Sequence, residues 1–76
     1  MIDLASIRRA IGLTQVELAV NLGVGQAQIS KIERQSDMLL STLAAYLAAL
    51  GVRAQLVVEV GEQTETYALD AGTGER

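Results

Sequence analysis

Between Gln15 and Arg34 the sequence spaces amide, ammonium and guanidinium side chains in a way that suits recognition better than catalysis. In the segment from Gln26 to about Glu33, Ile29 and Ile32 define an inward face. On a helix that choice turns Ala27, Ser30, Lys31 and Arg34 outward and sets Gln26 at the N-terminal tip. A glutamine there can pair bidentately with adenine N6 and N7, a lysine can reach guanine O6 and N7, and Ala27 can touch a thymine methyl. Taken alone, Gln26, Gln28 and Lys31 read more readily as an ordinary solvated helix face, and it is the surrounding spacing that reverses this. Catalytic chemistry has little to work with. The chain contains no histidine and no cysteine, which removes the commonest general base, the commonest zinc ligand and every thiolate or disulfide. No nucleophile–base pair or metal-ligand cluster is visible, and no enzyme activity, metal or cofactor is expected.

The spacing is that of two short helices joined by a tight turn. With Gln15 as first position, Ala19 is fifth, Gly23 ninth, Ile29 fifteenth and Ile32 eighteenth. Helices that cross steeply need a small residue where they touch, which Ala19 supplies. The turn needs a conformation that glycine adopts without strain, which Gly23 supplies. Leu18, Ile29 and Ile32 then fill the wedge, and the third helix projects from the body as a major-groove reader does.

The flanking elements follow from periodicity and caps. Leu4, Ile7 and Ile11 fall at helical spacing before Gly12. Thr14-Gln15-Val16-Glu17 is a capping-box pattern that starts a second helix running to about Leu22, which buries Leu18, Ala19 and Leu22. Gly23 ends it, and Gly25 is an acceptable, weaker N-cap for the third. Ser41 is predicted to cap a fourth helix with Leu43, Leu47 and Leu50 on one face, closed by Gly51. Tyr46, the only aromatic of the helical part, suits core or dimer packing better than base stacking.

After Gly51 the apolar period drops from 3.6 to 2. Val52 to Val60 reads as a core strand with Ala54, Leu56, Val58 and Val60 on one face. Gly61-Glu62 offers a two-residue hairpin turn, which pairs Leu56 with Tyr67 and Ala54 with Leu69. A three-residue turn would set Glu59 against Glu65, and like charges disfavour it. An isolated hairpin is marginal in water and an exposed apolar edge invites another chain. Leu56, Val58, Val60 and Tyr67 are therefore predicted to join a partner copy in a four-stranded dimer sheet, with Glu59 and Glu65 on its solvent face or edges. The fold class is mainly α with a small β segment. The predicted organisation is a helix-turn-helix DNA-binding domain over 1–51, a dimerisation hairpin over 52–70 and a flexible tail over 71–76.

At 76 residues there is room for one domain. The net charge of −3 speaks mildly against nucleic acid, but its distribution does not. Residues 1–36 carry Arg8, Arg9, Lys31 and Arg34 against Asp3, Glu17 and Glu33, while Arg53 and Arg76 face six acids in the remainder. The DNA-binding surface should lie in the first half. Half the residues are hydrophobic, yet no run approaches the roughly 20 needed to span a bilayer. With no secretory pattern at the start, the expected location is the cytoplasm.

Gly12-Leu13-Thr14-Gln15-Val16-Glu17-Leu18-Ala19, Gly23-Val24-Gly25-Gln26 and Ile29-Ser30-Lys31-Ile32-Glu33 together resemble the Xre/Cro–C1-type repressor domain. The likeness covers roughly residues 3–51 and implies a lambda-repressor-like fold of four to five helices, here four short ones. The onward pattern Leu40-Ser41-Thr42-Leu43, Tyr46-Leu47, Leu50-Gly51 and a strand is similar to the HigA-like and HipB-like antitoxins. Gly25 departs from the usual serine or threonine cap. The resemblance implies Gln15 on a phosphate, Gln26, Ala27 and Lys31 on base edges, and Gln28, Ser30 and Arg34 near the DNA backbone. It also implies an ion pair between Arg8 and Glu33, which alone would read as surface charges.

Three functions compete on these grounds. The first is an autoregulating antitoxin that binds palindromic operator DNA as a homodimer and neutralises a cognate toxin. Its toxin surface would lie outside the third helix, and the acidic second half suits a basic partner. The second is a stand-alone or phage-type repressor. The third is an interaction adaptor that has lost DNA binding, which the missing basic surplus favours and the outward Lys31 and Arg34 oppose.

Overall fold

The computed structural model describes residues 2–69. The expected tail over 71–76, with Asp70, lies outside the described residues. The chain divides into two compact units, Met1–Leu39 and Leu40–Arg76.

The first unit holds α1 (Leu4–Ile11), α2 (Gln15–Leu22) and α3 (Gln26–Arg34). Asp3 starts α1 by accepting from the Ser6 amide at 3.1 Å and the Ser6 hydroxyl at 3.0 Å. Those hydrogen bonds, the backbone one first, favour the charged carboxylate and hold Asp3 below its ordinary pKa. At α2 the capping box is complete: the Glu17 amide donates to Thr14 Oγ1 at 3.0 Å and the Thr14 amide to Glu17 Oε1 at 2.9 Å. Gly23, at φ +82°, ends α2 in the left-handed region and donates its amide back to the Ala19 and Val20 carbonyls. Two residues later Gly25 enters α3 with extended backbone and no side-chain cap. The helices α2 and α3 pack on each other. Leu4, Leu18, Ala19, Ile29 and Ile32 are buried, and Ile7 and Leu22 are half-buried. Ile11, expected on the inward face of α1, is instead 41% exposed. It sits on the last residue before the chain turns at Gly12, beyond the packed stretch.

The second unit holds α4 (Leu40–Leu50) and a two-stranded antiparallel sheet of β1 (Gln55–Val60) and β2 (Gln63–Ala68). Ser41 does not cap α4. The helix begins at Leu40, whose propensity exceeds that of serine, so Ser41 falls inside the first turn. Tyr46, Leu47 and Leu50 are buried, Tyr46 completely, while Leu43 is half-buried.

The strand begins at Gln55, three residues later than the apolar run suggested. The Leu69 amide still donates to the Ala54 carbonyl at 2.8 Å, extending the pairing by one step. Leu56 lies opposite Tyr67, Val58 opposite Glu65 and Glu59 opposite Thr64, the register of a two-residue turn. Gly61 has φ +61°, and no described non-glycine residue, Glu62 included, has positive φ. Of the two favoured hairpin turns only type II′ fits, because type I′ needs positive φ at both central positions.

Two expectations about the hairpin need correction. It is not a core strand: every residue of β1 and β2 is exposed in the single chain. Among the described residues the buried one beside it is Leu69, just past β2. Glu65 also does not mark a solvent face. Alternation and register place it on the same face as Leu56, Val58, Val60 and Tyr67, and only Glu59 lies on the other.

Candidate nucleic-acid interface

The first unit presents its polar residues from α3 and from the start of α2. Gln26, Ala27, Gln28, Lys31 and Arg34 are exposed, and Ser30 and Gln15 are half-buried. Burial of Ile29 and Ile32 fixes the rotation of α3, so the outward set is a consequence of packing. Arg34 Nη1 donates to Ser30 Oγ at 3.0 Å, one helical turn back, and this holds the guanidinium along the helix. Lys31 and Arg34 lie in the last turn of α3, where cations offset the negative end of the helix dipole.

Beneath this face lies a connected polar network. Arg8 Nε donates to Glu33 Oε2 at 2.7 Å, with the two side chains only 8% and 5% exposed. Arg8 Nη2 reaches Glu33 Oε1 at 3.3 Å, giving the forked contact that a guanidinium makes with a carboxylate. Arg8 Nη1 donates to the Leu13 carbonyl at 2.8 Å. The pair thus ties α1 to the end of α3 and to the loop before α2. Glu33 Oε1 also accepts from Gln15 Nε2 at 3.0 Å, and Gln15 Oε1 accepts from Gln26 Nε2 at 3.2 Å. No buried side-chain polar atom among the described residues lacks a hydrogen-bond partner.

The structure therefore brings together Arg8, Glu33, Gln15 and Gln26. The sequence suggested the first two as a pair and the last two only as separate contacts. Gln15 and Glu33 are 18 residues apart, and no local period signals their meeting. The one clue was chemical: an acid in a half-apolar environment needs donors, and an amide at the start of α2 can be one.

In the second unit Leu56, Val58, Val60 and Tyr67 share one exposed face of the hairpin, at 40%, 37%, 62% and 50% exposure. The Tyr67 hydroxyl donates to Glu65 on the same face, and this hydrogen bond raises the phenol above its ordinary pKa. Among the described residues no group of acids, histidines or cysteines could hold a metal ion. No described helix is long and apolar enough to cross a membrane.

The helix-turn-helix family HTH_3 matches residues 4–57. The putative antitoxin HigA3 of Mycobacterium tuberculosis is 47% identical over 64 residues, which is 80% of this chain and 59% of that protein. The chain thus spans a little under three-fifths of the length of that relative. A solved structure of DNA-bound antitoxin HigA3 superposes with a TM-score of 0.79 at 43% identity, covering 88% of this chain and 90% of that one. A second, of a HigA antitoxin described by induced DNA bending through unique dimerization, gives 0.76 at 43% identity with the same coverage.

Proposed function

The chain belongs to the helix-turn-helix family HTH_3, and from that premise we propose that it is a dimeric, sequence-specific DNA-binding repressor. In this reading it is the antitoxin of a bacterial type II toxin–antitoxin pair, restraining its own operon and neutralising a cognate toxin in the cytoplasm. It carries no catalytic role. The observation that carries the reading is the likeness, over nine-tenths of that chain, to an antitoxin bound to DNA. The exposed side chains of α3 supply the chemistry. Gln26, Ala27 and Lys31 read base edges, while Gln15, Gln28, Ser30 and Arg34 hold the backbone.

Residues 1–51 bind DNA and residues 52–70 pair two copies. The hairpin leaves Leu56, Val58, Val60 and Tyr67 uncovered in the single chain, and a second copy removes them from water. Two-fold symmetry then presents two recognition helices to half-sites about 34–36 Å apart, one turn of DNA. The toxin surface lies outside α3, and Glu59 and Glu62, which lie off the dimer face, suit a basic partner.

The test is a gel-shift titration with the duplex upstream of the gene against a scrambled duplex, beside light scattering on the full chain. The full chain matters because truncation after Gly51 would also remove buried Leu69. Val58→Glu should give monomers and lose the preference for a palindrome. Equal affinity for both duplexes would refute specific recognition, and a dimer in Val58→Glu would move the interface off the hairpin. Co-purification with the neighbouring gene product, repeated with Glu59 and Glu62 neutralised, tests the toxin surface. Unchanged capture by the neutralised protein would exclude it.

A further inference from the structure

The phase of the hairpin hydrogen bonds decides which backbone groups the two strands leave over. In an antiparallel pair, opposed residues alternate between two kinds. One kind exchanges both backbone hydrogen bonds, and the other points its N–H and C=O away from the neighbouring strand. The Leu69 amide donates to the Ala54 carbonyl directly opposite, so that pair is of the bonded kind. Following the register makes Leu56–Tyr67, Val58–Glu65 and Val60–Gln63 bonded too, and leaves Val57, Glu59, Thr64 and Thr66 in the other kind. The N–H and C=O groups of these four line the free edges of a sheet that has only two strands. Neither edge is blunted. Residues 55–68 hold no proline and no lysine, and the register runs without a bulge, so the usual protections of an edge strand are missing.

We propose that the outer edge of β2 is the docking strip for an extended, basic segment of the toxin, which adds a strand beside Thr64 and Thr66. This rests on the antitoxin reading above and deepens it. A closed two-fold dimer uses one edge of each hairpin and no more, because joining β1 of one copy to β2 of the next would repeat without end. β1 suits the second copy. Antiparallel pairing about Val57 sets Leu56 of each copy beside Val58 of the other and Gln55 beside Glu59, with no like charges opposed. β2 suits it less: its side chains are polar apart from Tyr67 and Ala68, and pairing centred on Glu65 opposes two carboxylates. What stays open is β2, and charge selects its occupant. Gln55 to Ala68 carries Glu59, Glu62 and Glu65 and no cation, so nucleic acid is repelled and a basic strand is attracted. Glu59 lies opposite Thr64 on one face, and neighbouring strands are about 4.8 Å apart. A lysine or arginine on the added strand therefore reaches the Glu59 carboxylate across the short threonine. Main-chain hydrogen bonds give such docking its affinity, and side chains on the two faces give its selectivity.

The experiment follows amide hydrogen exchange, residue by residue, in the full chain with and without the purified product of the neighbouring gene. In the free dimer the Val57 and Glu59 amides should already be protected, while those of Thr64 and Thr66 exchange fast. Adding the gene product should slow Thr64 and Thr66 about tenfold or more. Amides of Thr64 and Thr66 that are slow beforehand, or that stay fast in a complex that does form, overturn the proposal. The inference then falls while the antitoxin reading stands. If the full chain does not bind the gene product at all, the antitoxin reading itself falls. Thr66→Pro removes an outward N–H and no hydrogen bond of the hairpin, as proline on an edge strand does. It should weaken capture of the gene product about tenfold or more while the protein stays a dimer. A monomer whose Val58 and Glu65 amides remain protected would make β2 the dimer edge and overturn the assignment. Thr64→Lys/Thr66→Lys keeps every backbone group, so it serves where proline unfolds the hairpin. Capture that this double variant leaves unchanged would also refute a basic strand on β2.

Discussion

Replacing Arg8 by methionine should cost the protein much of its stability. The substitution keeps an unbranched apolar stem but removes two donors from Glu33, whose side chain is 5% exposed, and one from the Leu13 carbonyl. Breaking a buried ion pair on one side typically costs about 3–5 kcal/mol, because a charge is left in a poor environment. Stability scales as roughly 0.05–0.15 kcal/mol per residue. For a chain of 76 residues the total is therefore on the order of 4–11 kcal/mol. A loss of about 3 kcal/mol lowers the midpoint of a domain this size by roughly 12–24 °C. The assay is circular-dichroism melting at fixed protomer concentration, since a dimer melts higher when concentrated. The double variant Arg8→Met/Glu33→Met should recover part of the loss, because no charge is then stranded. It should not recover all of it, since the Leu13 carbonyl and the Gln15 amide each lose a partner. A coupling of about 2 kcal/mol or more is expected from the cycle. Single substitutions that each cost under about 1 kcal/mol, with no coupling, would mean the pair behaves like a solvated one and would refute the reasoning.

Further outcomes can be checked separately. Gly61→Ala places a Cβ at φ +61° and should weaken the hairpin by about 1–2 kcal/mol, seen as faster amide exchange of β1 and β2. Asp3 has a lowered pKa in the folded chain, so its contribution to α1 is present above the unfolded value and lost as pH falls through the folded one. Acid titration should show this loss in the parent chain but not in Asp3→Asn. On DNA, Lys31→Ala should remove about 1–3 kcal/mol of discrimination at particular base pairs. Arg34→Ala should weaken all sequences evenly and reduce the salt slope by about one. A base-specific loss in Arg34→Ala, measured on a panel of single-base variants, would exchange the two roles.

The helices were legible because local rules dominate them. Thr14 and Glu17 announce the start of α2, Gly12 and Gly23 end helices, and Ile29 with Ile32 sets the rotation of α3. The hairpin register was legible for a similar reason: a two-residue turn at Gly61 leaves one pairing and keeps Glu59 from Glu65. Burial of the strand was not legible. Alternating apolar residues state that a face must be covered, not that the same chain covers it. The start of α4 was misplaced by two residues, since a cap at Ser41 would begin the helix at Thr42 and it begins at Leu40. The link from Glu33 through Gln15 to Gln26 is set by how α2 crosses α3, a tertiary fact that no short window contains.

The separation between buried support and exposed surface in α3 bears on how such proteins diverge. Gln26, Ala27, Gln28 and Lys31 are exposed, and substitutions at such sites usually move fold stability by less than about 0.5 kcal/mol. Ile29 and Ile32 carry the packing of the same helix. A duplicated gene can therefore acquire a new target by drift at the outer positions while its scaffold stays under selection. Gln15 and Glu33 are the exception, because their hydrogen bond ties the start of α2 to the end of α3. Sister copies in one genome should accordingly vary most at positions 26, 27 and 31, and least at positions 15 and 33.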